Sequence, residues 1–304
     1  MKWFNEKILG AIAVMFAGFL WALDGIVFIP QLYNLLGNLV MVVFLFHAIP
    51  FILMNPFLFK EYKNIFKFDK NDWFTFFLIA LFGGFLGTWA IVKALFVVNF
   101  DGLSIVVLLQ KLQPIFAIIL AAILLKEKLK KHFMLWAVIA IIASYFLTFG
   151  LNLPNIDSNA NLTLASMYAL LAAASFGSAT VFGKKILKKY NFKTATFFRF
   201  GLTGLITLPV ALLLGEMNFN VITQTNWIFF LIIALTTGSG GIFIYYYGLK
   251  KIKAMTATIC EMFFPLSTIV LDYLINGNIL SLVQWLAVII MLFSIFKITK
   301  EQKK

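Results

Sequence analysis

One pattern constrains this chain more than any other. Apolar stretches of near-membrane length recur ten times, over residues 8–28, 37–58, 73–96, 103–125, 133–150, 162–182, 194–214, 227–247, 254–275 and 280–298. A bilayer core needs roughly 20 apolar residues per helix. In lipid, a spanning segment must satisfy its own backbone polar groups, so these stretches read as helices. Composition excludes the soluble alternative: of 304 residues, 62% are apolar and 12% charged, where a soluble domain is about a quarter charged. Met1–Lys7 is a basic start before the first run and resembles a signal peptide. The run that follows is too long for one and lacks a small-x-small cleavage site, so it reads as a retained first helix. The expected fold is an all-α integral membrane protein of ten transmembrane helices.

The formal net charge is +13, which in a soluble protein would suggest nucleic acid. Its placement excludes that partner. Of the 25 lysines and arginines, 22 fall in the N-terminus, the even-numbered connections and the C-terminus, and none in the odd-numbered connections. By the positive-inside rule both termini are cytoplasmic and the number of spans is even. The lysine-rich loops then face an anionic lipid leaflet. The three cations left over, Lys93, Lys111 and Arg199, lie inside expected helices. Cys260 is the single cysteine, which leaves no disulfide within the chain and no thiolate metal cluster.

Shifting the sequence by 154 residues aligns the third run with the eighth. Trp73 meets Trp227, Phe76 meets Phe230, and Ala80-Leu81 meets Ala234-Leu235. Gly84 and Gly87 meet Gly238 and Gly241, and Leu95 meets Leu249. Pro114 then matches Pro265 in the fourth and ninth runs, and Trp136 matches Trp285 in the fifth and tenth. Residues 1–150 and 151–304 thus read as two five-helix repeats within one integrated membrane domain. Five is odd, so the second repeat is inverted. Inverted repeats are a transporter plan, with the substrate site near the midplane between them.

Five segments stand out together: Leu108-Leu-Gln-Lys-Leu-Gln-Pro114, Leu124-Leu-Lys-Glu-Lys-Leu129, Phe198-Arg-Phe200, Tyr246-Tyr-Gly-Leu-Lys250 and Ala257-Thr-Ile-Cys-Glu-Met-Phe-Phe-Pro265. With them, nearly the whole chain resembles the ten-helix EamA-type branch of the drug/metabolite transporter superfamily. Two positions depart from the pattern. Gln113 stands where the family often has an acid before the proline, and Asn278 is the counterpart of Glu127. The resemblance implies a carrier of small metabolites, and members carry amino acids, sugars, nucleotides and drugs.

Ionisable groups inside a bilayer are costly and mark a pathway by default. Glu261 lies four residues before Pro265, and Thr258, Glu261, Pro265 and Thr268 share a helical face. Pro265 frees the carbonyl of Glu261, which needs protein or a wet cavity against it. Glu261 is therefore a candidate substrate carboxylate and coupling-proton site, weighed against a purely structural bond between helices. Lys111, beside Gln110 and three residues before Pro114, could hold a substrate anion, pair with Glu261, or snorkel to the interface. Lys93 and Trp89, with their repeat counterparts Phe243 and Tyr247, could form an aromatic-and-cation wall or an interfacial belt. Asp24 could pair with Lys93 or meet substrate. Arg199 is expected to reach headgroups or cap a neighbouring helix, and His47 to pack. Gly83, Gly84 and Gly87 allow close helix approach.

The leading expectation is a secondary transporter of an amino acid or related zwitterion, working by alternating access. It would export or exchange, with Glu261 as the proton site. A drug or cation exporter of the same fold is the alternative. A scaffold or sensor that moves nothing is the alternative of another class. An intramembrane enzyme lacks the clustered His, Cys or carboxylates of metal chemistry, and no cofactor or metal is expected. The expected setting is the plasma membrane of a prokaryote, as monomer or homodimer.

Overall fold

The computed structural model of the chain describes residues 2–97, 106, 109–153, 160–277 and 279–301. Its helices are α1 (Glu6–Leu35), α2 (Leu39–Lys67), α3 (Lys70–Ala94), α4 (Gln113–Leu124), α5 (Lys131–Phe149), α6 (Thr163–Leu187), α7 (Phe192–Leu213), α8 (Gln224–Lys251), α9 (Ala254–Ile275) and α10 (Leu282–Lys300). All but α4 are long and apolar enough to cross a membrane, and no strand occurs among the described residues. The expected fourth span, 103–125, is described as a helix from Gln113, while residues 103–105 and 107–108 lie outside the described residues. So does Asn278.

The helices are apolar on their outer faces and small inside. On α5 the large side chains Leu135, Val138, Ile142 and Phe146 point outward, while Ala137, Ala140, Ala143 and Leu147 are buried. The helical period separates the two sets. On α10, Leu286, Ile289, Ile290 and Phe293 point outward in the same way. Small inner residues bring backbones close, which stabilises helix pairs where lipid offers no hydrophobic drive. The main neighbours are α1 with α8 and α9, α2 with α7, α3 with α6, α4 with α6 and α9, and α5 with α10. The glycines set some of these distances. A Cβ on Gly248 would stand 2.5 Å from the Gly10 carbonyl oxygen, and one on Gly84 would overlap the Thr203 side chain.

Equivalent places in α3 and α8 share two devices. Each helix opens with a capping box, Asp69 with Asp72 in α3 and Thr223 with Asn226 in α8. Each then passes through a π-helical segment, Ile79–Leu86 in α3 and Ala234–Gly238 in α8. The first bulge frees the Gly83 carbonyl, which takes a 2.8 Å bond from the Arg199 guanidinium.

The cap residues also bind across the fold. Asp72 accepts from Lys189 at 2.7 Å and from the Tyr190 hydroxyl at 2.7 Å, and Asp69 accepts from Lys189 at 2.9 Å. Asn226 exchanges amide bonds with Asn34, one of 3.1 Å and one of 3.0 Å, and donates to the Gln31 carbonyl at 3.0 Å. The loop between α6 and α7 is thereby fastened to α3, and the last turns of α1 to the start of α8.

Candidate functional site

Two helices break at a proline, and their breaks meet. In the fourth stretch a turn at Lys111–Leu112 precedes the helix that resumes at Gln113, with Pro114 in its first turn. In α9 a first segment, Ala254–Cys260, ends at a turn over Glu261–Met262 and the helix resumes at Phe263. Pro265 cannot donate to the Glu261 carbonyl. That carbonyl instead accepts from the Phe264 amide at 2.9 Å, a tighter bond over three residues. The lost helical bond is thus repaired locally, and the chain bends where it is repaired.

Between the breaks lies a cavity of about 230 Å³. Gln110, Lys111, Pro114, Thr258, Glu261, Pro265 and Thr268 line it, joined by Gln113 and by Ser144 and Thr148 of α5. The Glu261 carboxylate is held by three neutral donors from three helices. Gln113 Nε2 of α4 donates at 2.7 Å, the Tyr245 hydroxyl of α8 at 2.6 Å, and the Thr180 hydroxyl of α6 at 3.2 Å. Lys111 donates to the Thr148 hydroxyl. The Thr258 and Ser144 hydroxyls are buried without a partner among the described residues. The cavity thus offers a carboxylate, an ammonium group, amides and hydroxyls over a floor of proline and Phe264.

Several expectations need correction. Lys111 and Glu261 line one cavity but form no ion pair among the described residues. Lys111 leaves the break towards α5, and Gln113, two residues on, is the group that reaches Glu261. Asp24 does not pair with Lys93; it accepts from the Thr237 hydroxyl of α8 at 2.6 Å. Trp89, Lys93, Phe243 and Tyr247 do not form one wall. Trp89 packs edge-on against Tyr168 of α6 with centroids 5.4 Å apart, and Lys93 is exposed. Phe243 and Tyr247 instead meet Phe192 at the start of α7, at 4.9 and 5.4 Å. Positions matched by a 154-residue shift of the sequence need not be neighbours in the fold. Arg199 is buried, away from headgroups, and caps no helix end; it donates to the Gly83 carbonyl in the middle of α3 at 2.8 Å and to the Tyr246 hydroxyl at 3.2 Å. His47 packs on Phe200 and donates from Nδ1 to the Val43 carbonyl at 2.8 Å. Among the described residues, no three His, Cys, Asp or Glu side chains converge as a metal site would require.

Gln113, Tyr245, Thr180 and Thr148 were not among the residues the sequence singled out. Gln113 did carry a signal, as the departure from the family's usual acid. The other three are ordinary side chains on apolar helices, and only the packing brings them to Glu261 and Lys111.

Comparison with known proteins agrees with this architecture. A riboflavin transporter, ImpX, of Fusobacterium nucleatum is 54% identical over 298 residues, 97% of this chain and 99% of that one. An uncharacterised transporter of Archaeoglobus fulgidus is 23% identical over 177 residues, 58% of this chain and 60% of that one. A solved crystal structure 13% identical in sequence superposes with a TM-score of 0.68, covering 96% of this chain and 95% of the other. That likeness shows the fold. The EamA-like transporter family model matches residues 8–149 and 163–300. The chain is an integral membrane transporter of a small metabolite, not an enzyme, and belongs to the EamA-like transporter family.

Proposed function

We propose that the protein carries riboflavin, or a flavin of closely similar shape, through the cavity between the breaks before Pro114 and Pro265. One observation carries this reading: the 54% identity to a riboflavin transporter over nearly all of both chains. The chemistry of the site is compatible with it. Riboflavin joins a flat, neutral ring system, whose edge is an imide, to a chain of hydroxyls. The cavity sets amides, hydroxyls and a carboxylate beside Phe264, Met262 and two prolines. Polar groups placed in an apolar site fix orientation, and a polyol needs many of them.

The two halves are inverted repeats, supported by the matched caps and bulges of α3 and α8. Both termini and the lysine-rich loops are cytoplasmic, in the plasma membrane of a prokaryote, and the carrier works by alternating access as monomer or homodimer. Glu261 is the candidate for proton coupling. A zwitterionic amino acid is the second reading, favoured by Lys111 and Glu261 lining one cavity.

Purified protein in proteoliposomes, given radiolabelled riboflavin with and without a pH gradient, tests the substrate and the proton role. Riboflavin should accumulate, unlabelled riboflavin should compete, and a panel of amino acids should not. Amino-acid flux without riboflavin flux would replace the first reading by the second. Indifference to the pH gradient would remove the proton role of Glu261.

A further inference from the structure

The first segment of α9, Ala254–Cys260, separates the cavity from the lysine-rich end of the fold. All seven of its residues are buried. It packs among α1, α4, α6 and α10. At 1.5 Å per residue it is about 10 Å long. Its far end, Thr258 and then Glu261, lines the cavity. Its near end joins α8 through Ile252, which is buried, and Lys253, which is exposed. A substrate leaving the cavity towards that face must displace this segment.

Two side chains of opposite charge grip the joint. The Glu127 carboxylate accepts from the Ala254 amide at 2.9 Å and from the Met255 amide at 3.1 Å. These are orphan donors at the start of a helix, where the dipole favours an anion. On the other side, Lys184 of α6 donates to the Leu249 carbonyl at 2.8 Å and the Lys250 carbonyl at 3.0 Å. Those are orphan acceptors at the end of α8, where the dipole favours a cation. Each charge thus matches the helix end it holds.

The backbone that delivers Glu127 is itself held under strain. After α4 the chain turns through Lys126 at φ 54°, among the described residues the one non-glycine residue with positive φ. The Glu127 amide folds back to the Ala121 carbonyl at 3.3 Å. This is the helix ending that glycine normally makes, here made by lysine. Strained residues persist where surrounding contacts hold them, and the contact here is the Glu127 cap on α9.

We propose that Glu127 and Lys184 form a clamp on the α8–α9 joint, and that its release opens the cavity to the lysine-rich face. Glu127 and Lys184 are positioning residues, since neither lines the cavity. The proposal rests on the reading of this face as cytoplasmic and of transport as alternating access. It does not depend on which metabolite is carried.

Cys260, the single cysteine and buried at the end of the segment, is a native reporter. Its reaction with a membrane-impermeant sulfonated maleimide is to be timed in right-side-out and inside-out vesicles. Glu127→Ala and Lys184→Met should each speed labelling about threefold to tenfold from the cytoplasmic side, the effect of losing a helix cap on an equilibrium. Glu127→Gln should give a smaller rise and serves if the alanine variant does not accumulate. Unchanged rates in all three variants would overturn the clamp, as would an equal rise from both sides, which is general loosening. A rise confined to the opposite side would keep the clamp and overturn the orientation. Labelling that behaves as expected in a protein that moves no riboflavin would leave the clamp standing and remove the substrate reading.

Discussion

At the scale of single residues, the carboxylate of Glu261 organises the centre of the molecule. Three helices reach it through neutral donors, so its position depends on groups that carry no charge. A hydrogen bond to a charged group contributes about 1.5–3 kcal/mol. Gln113→Leu removes the donor from α4 and should weaken substrate binding by roughly tenfold or more, read as a rise in KM for flux. Glu261→Gln should lower the maximal rate instead, with protein levels unchanged. Wild-type flux in both variants would leave the carboxylate a packing group. Of these residues, Glu261 was legible because an acid inside an apolar run stands out. Tyr245 was not, because a tyrosine in an aromatic-rich helix carries no mark of its partner.

At the scale of elements, the sequence announces where helices break and conceals what the breaks face. Pro114 and Pro265 point to both breaks, since a ring in place of an N–H admits no regular continuation. The π-helical segments of α3 and α8 carry a weaker sign, the aligned Gly84 and Gly238. The proposed wall of Trp89, Lys93, Phe243 and Tyr247 failed because the 154-residue shift only matches residue types, and contact follows from packing. Pro265→Ala would let residue 265 donate to the Glu261 carbonyl and straighten α9. Proline inside a regular helix costs about 3 kcal/mol, and local repair by Phe264 has already recovered part of that. The variant should therefore melt a few degrees higher in detergent while flux falls by about tenfold. Higher stability with unaltered flux would mean that the bend has no part in transport.

At the scale of the whole molecule, recurring apolar runs with lysines in alternate connections conveyed an all-helical membrane fold directly, because lipid permits few solutions. The two cross-fold fastenings were beyond reach, since Asp72 and Asn226 lie just outside the apolar runs and nothing in the sequence marks their partners. At the first of them, the titration of Asp69, Lys189 and Tyr190 follows from their contacts. Hydrogen bonds from Lys189 and then from the backbone hold the Asp69 carboxyl below its usual value, and bonds to Asp72 and Asp69 hold Lys189 above its own. Burial and the bond to Asp72 push the Tyr190 phenol up to about 12. For Asp69, the stabilisation is present above 3.8 and lost as pH falls through its lowered value. For Lys189 it is present below 10.5 and lost as pH rises through its raised value. This fastening should therefore be indifferent to pH between about 5 and 8. Lys189→Met should leave the shape of the flux-against-pH curve unchanged over that range.

The two fastenings differ in kind as well as place. Lys189 and Asp69 are about half exposed, at 48% and 58% of their side chains, so dissolved ions reach them. Asn34 and Asn226 exchange amide bonds that carry no net charge. Electrolyte shortens the reach of the first, to about 8 Å at 0.15 M and about 3 Å at 1 M, and leaves the second alone. Ionic strength is therefore a lever on the first fastening and not on the second. Potassium chloride alone should loosen the hold of Lys189 on the start of α3 and leave the Asn34–Asn226 exchange intact, read as faster amide hydrogen exchange at the first place and not at the second.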